Sequence, residues 1–549
     1  MNEKQYDNEL NKYRKEILAS NAFKKLIVAG PGTGKSSFFE KAIKHYGGTS
    51  KDYLVLTFIN SLKDELKKDL EDIAKVFTFH GYCYSLLLKY PDLRIGLKHK
   101  FHYYPPLIGL VKSDWSIMNK EDAPKFGKLM RNTSGAKELD FFIARGNYYN
   151  TIGYDDSVFR VYRTLKDGRN FQDKYKLIIV DEYQDFNALE TSVLSHIIDF
   201  SPSLIVGDDD QALYCQLRDS KPDFIRELHQ GDDFQNFELP FCLRCPKAVI
   251  SSFDSIIKIS QSKGILSEKR IPKKFIFFPP VKGKDSEIYP RIKLIISSIQ
   301  KKFPLGANYF GRYVSQEIAN IPRHEIEESR EKNFPTVLII GPNYYLKTLI
   351  PIFDNNSYDY EFKQTEQGIK IDLKDGFKLL NKDESSNLGW RIILEVLKPD
   401  FYKETILISI TKNIDFVNII PNGFKQKILA EAKLHKEGGA EIVENEPEID
   451  KSKPTIKLTT FEGAKGLSAQ RVFILGLQDG DLPRNPNLIS DIEVCKLLVA
   501  ITRTRKQCYL LSTRNFAGKW VTPSEFLSWV NEKDIDLIEI DKHYDWGIK

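Results

Sequence analysis

The sequence is poor in cysteine, with six in 549 residues, too few for the dense framework of a disulfide-built domain. Cys242 and Cys245 form one CxxC, but no second close pair and no nearby histidine completes a tetrahedral zinc set. Reduced, metal-free cysteines are therefore expected. Long hydrophobic runs are missing as well. The longest, such as Leu177–Val180 and Val472–Leu477, fall far short of the ~20 residues that span a bilayer. The first ten residues, MNEKQYDNEL, are polar and of mixed charge and lack the apolar centre of a secretory signal. A cytoplasmic protein with no membrane partner is the expectation. A strong excess of one charge is also lacking. A net charge of +6 permits a nucleic-acid partner without demanding one. Short repeats and long low-complexity tracts are absent, and the length suggests roughly three or four domains.

Short apolar runs are present in two sets. Lys25–Ala29, Tyr53–Phe58, Lys176–Val180 and Leu204–Val206 come early, and Val337–Ile340, Ile456–Thr460, Val472–Gly476 and Cys508–Ser512 come late. Fully apolar strands that alternate with helical stretches belong to parallel sheets covered on both faces. The expected fold class is α/β with two such cores. The stretch 267–332, rich in lysine, proline and aromatics, reads as mixed structure with surface loops, and the polar segment 433–454 reads as a linker.

The first run leads into AGPGTGKSS. A strand, a glycine-rich turn and a helix make a P-loop, here with alanine in the first glycine place. The candidate ATP-binding residues are Ala29, Gly30, Pro31, Gly32, Thr33, Gly34, Lys35, Ser36 and Ser37. Gly32 and Gly34 let backbone N–H groups wrap phosphate oxygens, Lys35 reaches the β and γ phosphates, and Ser36 offers a hydroxyl to Mg²⁺. The helix that follows aims its dipole at the anion.

A second strand, LIIV, ends in Asp181 and Glu182. Two adjacent carboxylates at a strand end suit a Walker B element. Asp181 would hold Mg²⁺ through its water shell, and Glu182 would polarise the attacking water.

The form of that element, Asp181-Glu182-Tyr183-Gln184-Asp185, resembles the UvrD/Rep/PcrA type of superfamily 1 helicases. The resemblance continues in order along the chain. Leu56–Ser61 (LTFINS) is similar to motif Ia, Thr78–Gly81 (TFHG) to the TFH motif, and Val206–Tyr214 (VGDDDQALY) to motif III. Leu239–Pro246 (LPFCLRCP) stands in the place of motif IV, Thr459–Leu467 (TTFEGAKGL) resembles motif V, and Leu498–Arg505 (LVAITRTR) resembles motif VI. The resemblance implies two RecA-like cores with ATP and Mg²⁺ between them. Gln211 would sense the γ-phosphate, and Arg244 and Arg503 would be arginine fingers from the second core. It also implies a single-stranded DNA track along Thr57, Phe58, Asn60, Thr78, Phe79, His80 and Tyr214, where rings stack on bases and hydroxyls meet phosphates. Some positions depart from the family. Leu243 replaces the tyrosine that stacks on adenine, Arg14 falls in the place of the Q-motif glutamine, Glu462 replaces a histidine, Gln216 replaces an aromatic, and Ser468 replaces a glutamate.

The layout implied is a first core from 1–89 and 174–236 with an inserted 1B block over 90–173. The second core spans 237–350 and 452–549, with a reduced 2B-like block over 351–451. No nuclease domain is expected after motif VI. The resemblance implies an ATP-dependent helicase or translocase of 3′-to-5′ polarity. The alternative is an ATP-gated, single-strand-binding switch within a nuclease-containing complex. The compact layout also resembles helicase subunits of two-component antiphage systems such as Gabija, which implies a nuclease partner. Repair remains the other biological setting.

Overall fold

The run Lys24–Ala29 is the spine of the first sheet, all but its first residue buried. The computed structural model describes residues 3–58, 60–70, 72–169, 171–279, 290–298, 309–362, 370–437, 453–516 and 518–546. In the first sheet the strands are β1 (Lys24–Ala29), β2 (Tyr53–Thr57), β3 (Lys75–Thr78), β4 (Leu177–Val180), β5 (Ser203–Gly207) and β6 (Gln235–Leu239), in the order β3-β2-β4-β5-β1-β6. Every pairing is parallel. Helices cover both faces, which is why β2, β4 and β5 are buried at every position.

The second sheet contains β7 (Ile292–Ser297), β8 (Val337–Ile340), β9 (Tyr360–Phe362), β10 (Ile456–Thr459), β11 (Ala469–Ile474), β12 (Thr504–Thr513) and β13 (Ile535–Ile540). Their order is β9-β10-β8-β11-β12-β7-β13, again all parallel. The fold is thus α/β with two parallel-sheet cores.

Three details differ from the expected layout. β6 pairs with β1, so the first sheet runs on to Leu239 and past the expected boundary at 237. β9 belongs to the second sheet, so the expected boundary at 351 falls inside the helix Asn343–Asn355, ahead of that strand. β7 is a sheet strand in the stretch expected to be mixed structure with surface loops, where no strand is singled out from the sequence. Much of the expected linker, 438–452, lies outside the described residues, and its start belongs to the helix Asn422–Glu437.

The stretch 90–173 contributes the helices Leu107–Asn119, Phe126–Arg131, Glu138–Tyr148 and Tyr154–Lys166. After β9 come the helices Leu373–Lys382, Asn387–Leu397, Tyr402–Lys412, Phe416–Ile419 and Asn422–Glu437. One continuous apolar cluster runs from the first sheet through both helical blocks and includes Phe79, Leu107, Phe142, Trp390 and Ile406. The two blocks therefore pack on each other, and the second core keeps separate clusters of its own. Among the described residues no helix is long and apolar enough to cross a membrane.

Candidate active site

The P-loop follows β1 at its carboxyl end, where β1 lies between β5 and β6. In an open α/β sheet, crevices form at such points, where connections leave in opposite directions. Gly32 and Gly34 have φ of +70° and +81°, a left-handed geometry that costs other residues dearly. Gly34 caps the helix Lys35–Tyr46, so the loop's backbone and the helix amino end face the crevice together. Thr33 is buried and its hydroxyl donates to the Gly30 carbonyl at 2.9 Å, which braces the turn. Ser36 is half-buried and Ser37 is exposed.

The second core closes directly over this loop. The Leu243 N–H donates to the Gly32 carbonyl at 2.8 Å, and the Cys242 thiol lies 3.3 Å from the Pro31 carbonyl. A Cβ on Gly32 would stand 2.7 Å from the Cβ of Arg244, so this glycine is required by contact as well as by φ. Arg14 comes from the first helix, Glu3–Ala19, and its Nη2 would lie 3.1 Å from a Cβ on Gly34; Leu243 Cδ1 would lie at the same distance. Two of the five departures from the family pattern, Arg14 and Leu243, thus lie at the P-loop. Leu243 remains 42% exposed and offers an apolar, non-aromatic surface. All six cysteines are free.

Opposite the loop, Lys35 donates to Glu182 at 2.6 Å and its Nζ is 3.9 Å from Asp181. The other Glu182 oxygen accepts from Gln184 at 2.6 Å. Burial works to raise the Glu182 pKa, but the ammonium groups of Lys35 and Lys465 prevail and hold it well below the usual carboxylate range. Burial raises Asp181 to about 6 against the pull of Lys35. The two neighbouring carboxylates are therefore driven apart, and Glu182 is held ionised by its two lysine partners.

Lys465 is a residue whose role the sequence reading did not assign, although it lies within TTFEGAKGL. It crosses from the second core to the first, where it donates to Asp185 at 2.5 Å and to the Gln211 carbonyl at 2.7 Å. Arg503 makes a second crossing, its Nη2 donating to Gln211 Oε1 at 3.2 Å. Gln211 also donates to Asp208 at 2.8 Å, so it joins both arginine and acid. Burial, then the nearby positive charge of Arg244, lowers the Arg503 pKa to about 9. Arg244 donates to the Thr502 carbonyl at 2.7 Å, and its buried Nε has no hydrogen-bond partner among the described residues. Two guanidinium groups that repel each other beside a phosphate loop are poised to receive an anion.

Asp208, Asp209 and Asp210 bring their carboxylates together closely enough for a metal site. Cations already neutralise them. Arg270 binds Asp210 through two bonds of 2.7 and 2.6 Å, Arg226 donates to Asp209 at 2.9 Å, and Lys273 reaches all three. The cluster is a structural ion network beneath Gln211.

The expected track residues are placed less uniformly. Tyr214 is half-buried, and its hydroxyl donates to the Glu462 carbonyl of the second core at 3.1 Å. Thr57 is buried, with a hydroxyl that has no hydrogen-bond partner among the described residues. The Thr78 hydroxyl accepts from the Gly81 N–H at 3.1 Å and caps the helix Phe79–Lys89. The Asn60 side chain lies outside the described residues.

Three aromatics require correction as open stacking surfaces. Phe79 is fully buried, edge-on to Phe186 at 5.2 Å, because the turn from β3 into its helix points it into the core. His80 is buried and stacked on Tyr154 at 3.9 Å. Phe58 is covered by Tyr214 at 5.6 Å and by the Arg218 guanidinium at 4.1 Å.

A protein-family model described as an AAA domain matches residues 14–216. The chain is similar to a probable DNA helicase II homolog of Mycoplasma capricolum, at 23% identity over 94% of this chain and 86% of the relative. It is similar to the ATP-dependent DNA helicase Rep of Buchnera aphidicola, at 21% identity over 96% of this chain and 95% of the relative. The ATP-dependent DNA helicase PcrA of Bacillus subtilis is 22% identical over 92% of this chain and 83% of its own length.

Proposed function

We propose, for a chain that is a UvrD/Rep/PcrA-type superfamily 1 helicase and an ATP-using enzyme, that hydrolysis in this cleft drives 3′-to-5′ movement along single-stranded DNA. The observation that carries the reading is the pair of crossings from the second core, Lys465 to Asp185 and Arg503 to Gln211. They tie Gln211, the proposed γ-phosphate sensor, and the Walker B segment to the opposite core, so a change at the phosphate changes how the cores meet.

ATP would take over the Lys35 ammonium through its β and γ phosphates, which releases Glu182. Held as a carboxylate, Glu182 orients the attacking water and accepts its proton. Arg244 and Arg503 stabilise the charge that develops on the γ-phosphoryl oxygens, a contribution of ~10³–10⁵ in rate for an arginine finger. The Ser36 hydroxyl and the Asp181 carboxylate are hard oxygen donors on either side of Lys35 and suit Mg²⁺, which would screen the phosphate charge. Gln211 carries the state of the γ-phosphate to Tyr214, three residues on and bonded to the opposite core. Of the expected track residues on the first core, Tyr214, half-buried and bonded to the opposite core, is the contact we propose.

The test is ATPase activity with and without oligothymidylate. Strong stimulation is expected. A rate indifferent to any single strand would leave the ATP-gated switch as the better reading. Membership of a two-component antiphage system draws its support from the compact layout, and co-purification with a nuclease tests that partner.

A further inference from the structure

The CxxC of Cys242 and Cys245 takes no part in the chemistry above, yet it touches both halves of the site. Cys242 ends the short strand Phe241–Cys242, and Cys245 directly precedes Pro246, the cap of the helix Lys247–Ser262. Both cysteines are buried, while Leu243 between them is exposed. The Cys245 N–H donates to the Cys242 sulfur at 3.4 Å, and the two side chains are hydrogen-bonded to each other. The chain thus folds back within four residues and sets one sulfur against the other. Two sulfurs in contact need only a short approach to the ~2.05 Å of a disulfide.

Each sulfur meets a different wall of the ATP site. The Cys242 thiol donates to the Pro31 carbonyl of the phosphate loop at 3.3 Å. Cys245 Sγ lies 3.2 Å from the Thr502 carbonyl, which also accepts from Arg244 at 2.7 Å. Thr502 adjoins Arg503, so the pair connects the phosphate loop to both candidate fingers. A disulfide has no S–H to donate. Closing one releases the Pro31 carbonyl and draws Cys245 away from the carbonyl that positions Arg244.

The charges around the pair favour oxidation there. Burial works to raise the Cys245 pKa, but the Cys242 thiol and the guanidinium groups of Arg244 and Arg503 prevail and lower it to about 6. The thiolate is the form that reacts with oxidants. Burial holds Cys242 well above the usual thiol range, so it keeps its proton. Burial also raises Cys83, Cys215, Cys495 and Cys508, which sets them apart from Cys245.

We propose that Cys242 and Cys245 form a redox switch on the ATP site: a peroxide joins them in a disulfide and halts turnover, and a dithiol restores it. The Cys245 thiolate attacks one peroxide oxygen and breaks the O–O bond, which gives a sulfenic acid and hydroxide. The Cys242 thiol then attacks the sulfenic sulfur. The S–S bond forms, the S–O bond breaks, and water leaves with the Cys242 proton. Hydroxide takes up the proton that Cys245 had lost, so two thiols and one peroxide give one disulfide and two waters. A dithiol returns the two electrons by exchange and is itself oxidised. The switch rests on the ATP-site reading above, because it acts by moving Arg244.

The experiment treats the full chain with hydrogen peroxide, removes the excess with catalase, and measures ATP turnover with oligothymidylate present. Turnover should fall by at least about tenfold, a small part of the ~10³–10⁵ that an arginine finger contributes, and dithiothreitol should restore it. Trypsin cuts after Arg244 and separates the two cysteines, so the bridge should appear by mass spectrometry as a linked pair of peptides that dithiothreitol parts. Cys245→Ser should keep its own untreated rate through the same treatment. Cys242→Ser cannot close the bridge, and dimedone should trap its sulfenic acid at Cys245. A bridge that forms without change in turnover overturns the switch, as does an equal loss of turnover in Cys245→Ser or oxidation confined to other cysteines. Both of these leave the ATP-site reading intact. A chain kept reduced throughout that hydrolyses no ATP overturns that reading and the switch with it.

Discussion

Arg391 donates to Asp114 at 2.8 Å with both side chains fully buried, and the bond joins the two helical blocks inserted into the separate cores. Arg145 donates to the other Asp114 oxygen at 2.8 Å, and Tyr149 donates to it at 2.5 Å. Glu395 pairs with Arg391 at 2.8 Å. Asp114 is thus the shared anion of two buried guanidinium groups. Removing it leaves Arg145 with no carboxylate partner among the described residues and Arg391 with Glu395 alone.

Asp114→Ala should therefore destabilise the protein by about 3–5 kcal/mol, the cost of breaking a buried pair from one side. Chemical denaturation followed by circular dichroism checks it. A loss below about 1 kcal/mol would mean that the blocks separate readily and that water enters the contact.

The same contact bears on unwinding. With the second block docked on the first and small in size, the isolated chain is expected to translocate better than it unwinds. A 3′-tailed duplex assay on the chain alone should show short, poorly processive unwinding. Fast unwinding of long duplexes would contradict this.

Glu182→Gln preserves shape and removes the base. ATP binding should persist while turnover falls by roughly 10²–10⁴. Lys35→Ala should abolish hydrolysis with the fold intact. Fluorescent-nucleotide binding beside steady-state turnover separates the two roles, and equal loss of both quantities in Glu182→Gln would assign it a structural part instead.

Arg503→Ala and Arg244→Ala should each remove hydrolysis and leave nucleotide-free DNA affinity nearly unchanged, because Arg244 stands beside Gly32 of the phosphate loop and Arg503 meets Gln211, both from the second core. Normal DNA-stimulated turnover in either variant would remove that residue from the site.

Lys465→Ala should lower DNA-stimulated turnover by roughly ten- to a hundredfold, from the loss of charge-assisted bonds worth ~1.5–3 kcal/mol. It leaves Asp185 buried without its ammonium partner, and burial already lifts that carboxyl to about 7. An unchanged rate would place coupling elsewhere in the cleft.

Much of the fold is legible because short, fully apolar runs bounded by turn signals, such as LIIV at Leu177–Val180, fit strands covered on both faces. β6 escaped notice because QNFEL lies at a sheet edge, where polar residues are tolerated. β7 was hidden by the lysine-rich stretch around it. The P-loop and Walker B were readable from local spacing, since their chemistry is carried by consecutive residues. Lys465 was visible in its motif, but its bond to Asp185 depends on two cores meeting. The inward direction of the Phe79 ring is not legible in the sequence, because a motif position does not state which way a ring points. The Asp114–Arg391 contact had no sequence signal, since each residue lies in an ordinary helix and only tertiary packing pairs them.

The most direct test of the central claim is displacement of streptavidin from biotin on a single-stranded oligonucleotide by the chain with ATP and Mg²⁺. Directed movement predicts rapid displacement from the 5′ end, slow displacement from the 3′ end, and none with Glu182→Gln. Displacement no faster than spontaneous release at both ends, in a preparation that hydrolyses ATP, would contradict the motor account.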